Sequence, residues 1–390
     1  MGSMIKDQIG QMFMVGFDGH QVSMKLRDTI LRYGIGGIIL FSRNITDPIQ
    51  LADLCNDLQN ISKDIPLFIS IDQEGGRVSR LMEPFTQLPP ARFFGRLFEK
   101  KPQEIQEDKT NEFEPDYKKD DVVTLLYDLG EVVARELSSV GINMNLAPVL
   151  DVNTNPGNPV IKDRSFGLDP FTVSILGNAF IKGLQGNGVI AVGKHFPGHG
   201  DTDCDSHKQL PTVKHCIKRF EEVELIPFME SIKEGLESIM TAHVLYPAWD
   251  AFMPATLSEN ILDGILRKKM GFEGLIISDD MDMGAIQSNY SIEEATVHAI
   301  NAGVDLILIG NNLGKLDRVM HATLEAADKG RISQSKINES VERILGLKKR
   351  YLYPCHPADH DHAKSVIGCK QHKDIVDMIN NFDQKQNPSY

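Results

Sequence analysis

The stretch Lys194-His195-Phe196-Pro197-Gly198-His199-Gly200-Asp201-Thr202-Asp203-Cys204-Asp205-Ser206-His207 gathers three histidines, three aspartates and a lysine directly after the apolar run Val189-Ile190-Ala191-Val192. A strand is therefore expected to end in a loop loaded with proton-transfer groups, the kind of loop on which function concentrates when a rigid scaffold holds it. His and Asp also serve as ordinary turn and capping residues, and Pro197, Gly198 and Gly200 are turn formers. The density of titratable groups favours a site. A metal reading stands beside it, because His195, His199 and His207 with an aspartate could ligate zinc. Calcium is disfavoured: Asp201, Asp203 and Asp205 imitate the start of a calcium loop, but Ser206 and Thr212 stand where glycine and glutamate are required.

Working outward, short β-type runs recur with helical patterns between them. The runs are Met12 to Val15, Gly37 to Phe41, Leu67 to Ile71, Met144 to Val149, Val189 to Val192, Ser238 to Ala242, Gly274 to Ser278 and Val304 to Ile309. Helical spacing is expected over Ser23 to Tyr33, from Pro48 onward, over Val122 to Ser139 and Phe171 to Gln185, and near 259–269, 292–301 and 313–327. Strand–helix alternation indicates a parallel sheet. Eight such units over about 300 residues are what a (β/α)8 barrel needs, and there functional residues collect where strands end. Asp72, Asp151, His195, His243 and Asp279 all stand at or just past expected strand ends. A doubly wound sheet would show the same alternation, but no Gly-x-Gly-x-x-Gly follows the first strand.

The chain has 390 residues, enough for one large domain or two ordinary ones. A net charge of -13 argues against a nucleic-acid or anionic-membrane partner. Five cysteines without a Cys-x-x-Cys pair suit free thiols in a reducing compartment. No run is long and apolar enough for a membrane helix, and no basic region leads into an apolar segment at the start. The expected location is the cytoplasm. Residues 99–121 carry a charged, Pro- and Gln-containing run expected as an exposed insertion. After Arg350, residues 351–390 form a tail in which Asp359-His360-Asp361-His362 is expected in a solvated linker, with a last helix over His372 to Asn381.

The Lys-His-Phe-Pro-Gly-His-Gly-Asp-Thr run followed by Asp205-Ser206-His207 resembles the signature of family 3 glycoside hydrolases, in the branch of β-N-acetylglucosaminidases (β-N-acetylhexosaminidases) that act on cell-wall fragments. The resemblance spans about residues 5 to 350. It implies a retaining exo-acting enzyme that releases terminal N-acetylglucosamine from muropeptides during peptidoglycan recycling, with no metal or organic cofactor. Its partners would be small glycans only; it leaves oligomeric state open. Many relatives carry a second α/β domain after the barrel, and the tail is too short for one, so the site is expected to be completed within the barrel.

Glycoside cleavage needs a proton donor for the leaving oxygen and, in retaining enzymes, a carboxylate nucleophile on the other face of the sugar. By resemblance Asp279 is the nucleophile; strand periodicity does not separate it from Asp280, since neighbours face opposite ways. Both could also simply cap the next helix. The resemblance makes His207, held by Asp205, the general acid/base, and a carboxylate beside an imidazole favours its charged, proton-donating form. It assigns sugar binding to Asp72, Arg80, Arg164, Lys194 and His195, whose charged groups can grip vicinal hydroxyls; for Arg80 and Arg164 a rim salt bridge is the alternative. His199 and Asp201 are expected to shape the loop, and Cys204 to be a loop residue. Rival readings are a β-glucosidase or an N-acetylglucosaminide phosphorylase on the same barrel, a catalytically silent sugar-binding protein, and a metal-dependent hydrolase.

Overall fold

The computed structural model describes residues 2–62, 64–99, 118–310 and 313–384. Eight parallel strands form the centre: β1 (Phe13–Val15), β2 (Gly37–Leu40), β3 (Phe68–Ile71), β4 (Met144–Asn145), β5 (Ile190–Phe196), β6 (Ser238–Thr241), β7 (Leu275–Ile277) and β8 (Ile307–Ile309). From β1 to β7 each strand pairs with the next, and β8 pairs with β1. The seam between β7 and β8 is drawn together by Leu306 N–H donating to Ile276 O at 3.0 Å and Ser278 N–H to Leu306 O at 3.0 Å. The result is a nearly closed (β/α)8 barrel, as expected from the alternation. The strands are buried throughout and mostly apolar because both faces are covered, one by the barrel interior and one by the helical ring.

The helices follow their local chemistry. Met24–Tyr33 starts at Ser23, whose hydroxyl accepts from Leu26 N–H, and stops at Gly34 in the left-handed region. Pro48–Ile61 begins with Asp47 as cap and proline at its first position, burying Leu51, Leu54, Cys55 and Leu58 as the spacing predicts. Lys119–Ser139 and Pro170–Gly186 lie side by side. Gly183 allows this, because a side chain there would meet the Tyr127 carbonyl at 2.2 Å.

Three expectations need correction. β4 was expected to run to Val149, but its ladder is interrupted where Pro148 offers no N–H; pairing resumes at the single bridge between Val149 and Lys194. β5 runs on through Lys194, His195 and Phe196, so the first charged residues of the opening stretch lie inside a buried strand, stabilised there by ionic partners. The expected solvated linker after Arg350 is instead a docked helix, His360–Val366, capped by Asp359 and burying Ala363 against the helices Pro48–Ile61 and Lys119–Ser139. Asn56 holds Ala358 through two hydrogen bonds, at 2.8 and 2.9 Å.

The helix Gln334–Tyr351 was not anticipated, although its apolar residues recur at helical spacing; the last helix, Lys370–Gln384, was. Of the charged insertion expected over 99–121, residues 100–117 lie outside the described residues. Among the described residues no helix is long and apolar enough to cross a membrane.

Candidate active site

Because all eight strands run parallel, their C-terminal ends share one face, and a cavity of about 540 Å³ opens there. Asp72 and Glu74 reach it from just past β3, Lys194 and His195 from the end of β5, Asp279 and Asp280 from just past β7, and Asp205 and His207 from the loop after β5. Every residue assigned by resemblance therefore lines one hollow.

An ionic lattice forms its floor. Arg164 grips Glu74 with two parallel hydrogen bonds, both 2.8 Å, and Lys194 Nζ lies 2.7 Å from Glu74 and 2.8 Å from Asp72. Burial raises the Glu74 carboxyl, but the Arg164 and Lys194 charges outweigh it and hold the group far below the usual carboxylate range. Arg80 reaches Asp72 at 3.4 Å, and its buried Nε has no hydrogen-bond partner among the described residues. Arg164 is thus a salt-bridged residue as well as a cavity-lining one, so the two readings of it are compatible. Glu74 was passed over in the sequence. A signal was there: two residues after Asp72 in an extended segment, it faces the same side.

Behind this floor Asp151 is fully buried. Its Oδ2 accepts from His195 Nδ1 at 2.7 Å, and its Oδ1 accepts from the backbone N–H groups of His195 at 3.1 Å and His199 at 2.6 Å. Burial opposes its charge; the two histidines overcome this, and the carboxyl sits below its usual range. Asp151 thereby fixes the His195 ring, a role the sequence only hinted at.

His199 is pushed down to about 4 by burial and by His195 beside it. A neutral ring has one donor and one acceptor nitrogen. These lie 3.0 Å from Thr202 Oγ1 and 2.9 Å from Ser206 Oγ, so both are spent on shaping the loop, as expected. With both nitrogens engaged, the three-histidine zinc arrangement loses a ligand, and no group of three or more metal-ligating side chains occurs among the described residues.

The two candidate reacting groups differ in setting. Burial raises the Asp279 carboxyl, but His243, His195, the Asp280 N–H and Lys194 pull it below the ordinary range, so it is ionised at neutral pH. His243 is itself buried and pushed down, with its ring against Thr256 at 2.8 Å and the Asp280 carbonyl at 3.1 Å. His207 is largely exposed, and Asp205 Oδ1 holds both its Nδ1 at 2.8 Å and its backbone N–H at 2.9 Å. That leaves Nε2 free of the Asp205 contact. An anionic carboxylate and an imidazole aligned by a carboxylate, on one sugar-sized hollow, are the components of glycosyl transfer.

The family model for the glycosyl hydrolase family 3 N terminal domain matches residues 4–347. Beta-hexosaminidase from Thiobacillus denitrificans is 39% identical, over 73% of this chain and 74% of that protein. Beta-hexosaminidase A from Pseudoalteromonas piscicida is 36% identical over 90% of this chain, which spans only 58% of that longer protein. Among solved structures, a glycoside hydrolase family 3 beta-N-acetylglucosaminidase from Paenibacillus sp. superposes with a TM-score of 0.84 at 38% identity, covering 96% of this chain and 68% of that one. NagZ from Neisseria gonorrhoeae, in complex with N-trifluoroacetyl-D-glucosamine, superposes with a TM-score of 0.74 at 30% identity, covering 94% and 96%. The chain belongs to glycoside hydrolase family 3, and it is a glycoside hydrolase.

Proposed function

We propose that this hydrolase is a retaining exo-β-N-acetylglucosaminidase that removes terminal N-acetylglucosamine from muropeptide fragments in the cytoplasm, as a step of cell-wall recycling. The working unit is the barrel of residues 5–350 with residues 351–390 as an extension. The observation that carries the reading is that Asp279, the Asp205–His207 pair and the Asp72–Lys194–Glu74–Arg164 lattice line one cavity.

In this reading the lattice and His195 hold the sugar hydroxyls, with Arg80 completing the grip on Asp72. His207 donates a proton to the leaving oxygen while the Asp279 carboxylate attacks the anomeric carbon, and the glycosidic bond breaks to leave a glycosyl ester on Asp279. Water then gives its proton to His207 and displaces the carboxylate, restoring both groups. Two inversions return the original anomer. The lowered Asp279 carboxyl supports the nucleophile, and the names of the hexosaminidase relatives and the N-trifluoroacetyl-D-glucosamine bound to NagZ support the amino sugar, while its cell-wall source rests on the resemblance of the Lys194–His207 stretch.

Turnover of a chromogenic N-acetylglucosaminide well above that of the matching glucoside is the expected result; equal rates would move the reading to a glucosidase, and no turnover of either to a silent binder. Proton NMR at early times should show the β-anomer first, and an α-product would overturn the covalent route. Rates unchanged by phosphate separate hydrolase from phosphorylase, rates unchanged by chelators exclude the metal-dependent rival, and faster cleavage of a muropeptide than of chitobiose supports the cell-wall source.

A further inference from the structure

The loop that carries Asp205 and His207 is held at two ends by different parts of the barrel. Its first half rests on the segment after β4. The Thr154 hydroxyl donates to Asp201 at 2.9 Å, while the Asn155 and Asn158 amides donate to the carbonyls of Thr202 at 3.0 Å and His199 at 2.9 Å. Its second half rests on the segment after β7. There Ala285 N–H donates to Ser206 O at 3.0 Å and Gly284 N–H donates to His207 O at 3.1 Å. Ser206 is buried and its hydroxyl lies 2.9 Å from His199 Nε2, which ties the two halves together.

Residue 284 approaches this loop closely. A Cβ on Gly284 would stand 2.5 Å from the His207 carbonyl oxygen and 2.9 Å from that of Lys208, both backbone atoms that cannot swing aside. The same segment bears Asp279 five positions earlier. The short path from Asp279 through Gly284 to the His207 backbone therefore sets where the imidazole stands relative to the carboxylate.

We infer that Gly284, with Ser206 as its partner on the loop, is a positioning residue that seats His207 for proton transfer, and that the loop seats only because residue 284 lacks a side chain. The inference rests on the reading of His207 as the general acid/base. Neither Gly284 nor Ser206 touches the reacting atoms in this account; each acts through the loop backbone.

The test is kcat/KM against leaving-group acidity for Gly284→Ala, Ser206→Ala and His207→Ala, using aryl N-acetylglucosaminides from dinitrophenyl to phenyl, together with chitobiose. A dinitrophenolate leaves without a proton and needs no acid, so its kcat/KM should stay within about threefold in all three variants. For chitobiose, Gly284→Ala should lose roughly 10²-fold, the scale expected for an ångström-sized misplacement of a reacting group. Ser206→Ala, which introduces no clash, should show a milder loss of the same kind. Azide, which attacks the glycosyl-enzyme without help from a base, should restore kcat on the activated substrate. If Gly284→Ala lowers all substrates equally, or none, the positioning role is overturned. If His207→Ala shows the dependence on leaving group and the other two do not, only this inference fails; if His207→Ala lacks it, the acid/base reading itself fails. Ser206→Ala keeps the test decisive should Gly284→Ala not fold.

Discussion

The Asp280 backbone N–H donates to Asp279 Oδ1 at 2.8 Å, yet the two carboxyl groups lie on opposite sides of their usual range. For Asp280 burial dominates and, despite N–H donors from Gly310 and Asp282, pushes it up to about 6; for Asp279 nearby cationic groups and imidazoles overcome burial. Environment separates two residues that strand periodicity left equivalent. Asp279→Asn should lower kcat by about 10³-fold or more, the order lost when a reacting group is removed. Asp280→Asn keeps an oxygen acceptor and should lose far less.

The raised Asp280 carboxyl also has a stability signature. Its stabilising protonated form is fully present below the unfolded carboxyl's ordinary pKa, and the contribution is lost as pH rises through about 6. Relative to Asp280→Asn, the wild-type chain should therefore weaken between about pH 4 and 6, by an amount on the order of 3 kcal/mol. Parallel urea titrations at pH 4, 5, 6 and 7 read this difference, and a gap that does not move with pH would contradict it.

Glu74 neutralises two buried cations at once. Glu74→Gln leaves Arg164 and Lys194 to share Asp72, and stranding buried charge typically costs about 3–5 kcal/mol. A lowered denaturation midpoint is expected, along with a raised KM for N-acetylglucosaminides because Lys194 is no longer fixed.

Asp151→Asn would retain the volume but place an amide N–H group among three donors. His195 should lose its orientation, and kcat/KM should fall by roughly 10- to 100-fold, as for other groups that orient a contacting residue. Calorimetry alongside the kinetics separates this from simple unfolding; an unchanged kcat/KM would argue that His195 does not need its partner.

Outside the lining of the cavity, Glu136 gathers the tail. It accepts from Thr86 N–H at 2.8 Å, the Thr86 hydroxyl at 2.6 Å, Gly368 N–H at 2.9 Å and His372 Nδ1 at 2.8 Å. Glu136→Gln turns one acceptor arm into a donor facing donors and should cost about 1–3 kcal/mol for each group left unmet. Chemical denaturation would record the loss, with kcat unchanged because Glu136 does not line the cavity.

The barrel was legible in the sequence because its strands are buried on both faces and read as apolar runs, while the site was legible because its groups cluster just past those runs. What escaped reading depended on partners distant in the chain. Lys194 and His195 look like loop residues until Asp72, Glu74 and Asp151 arrive to satisfy them within a strand. Glu74 carries its meaning only once Arg164, ninety positions on, closes against it. Likewise residues 359–367 read as solvated linker because their buried apolar side chains, Ala363 and Ile367, gain value only against the surface of the barrel.

The backbone contact between residues 206–207 and 284–285 bears on how such barrels can be recombined. A chimera that imported the segment after β5 from a distant homologue, while keeping its own segment after β7, would set a foreign loop on a seat cut for another. The two segments should be exchanged as one cassette, although more than seventy residues of intervening chain separate them.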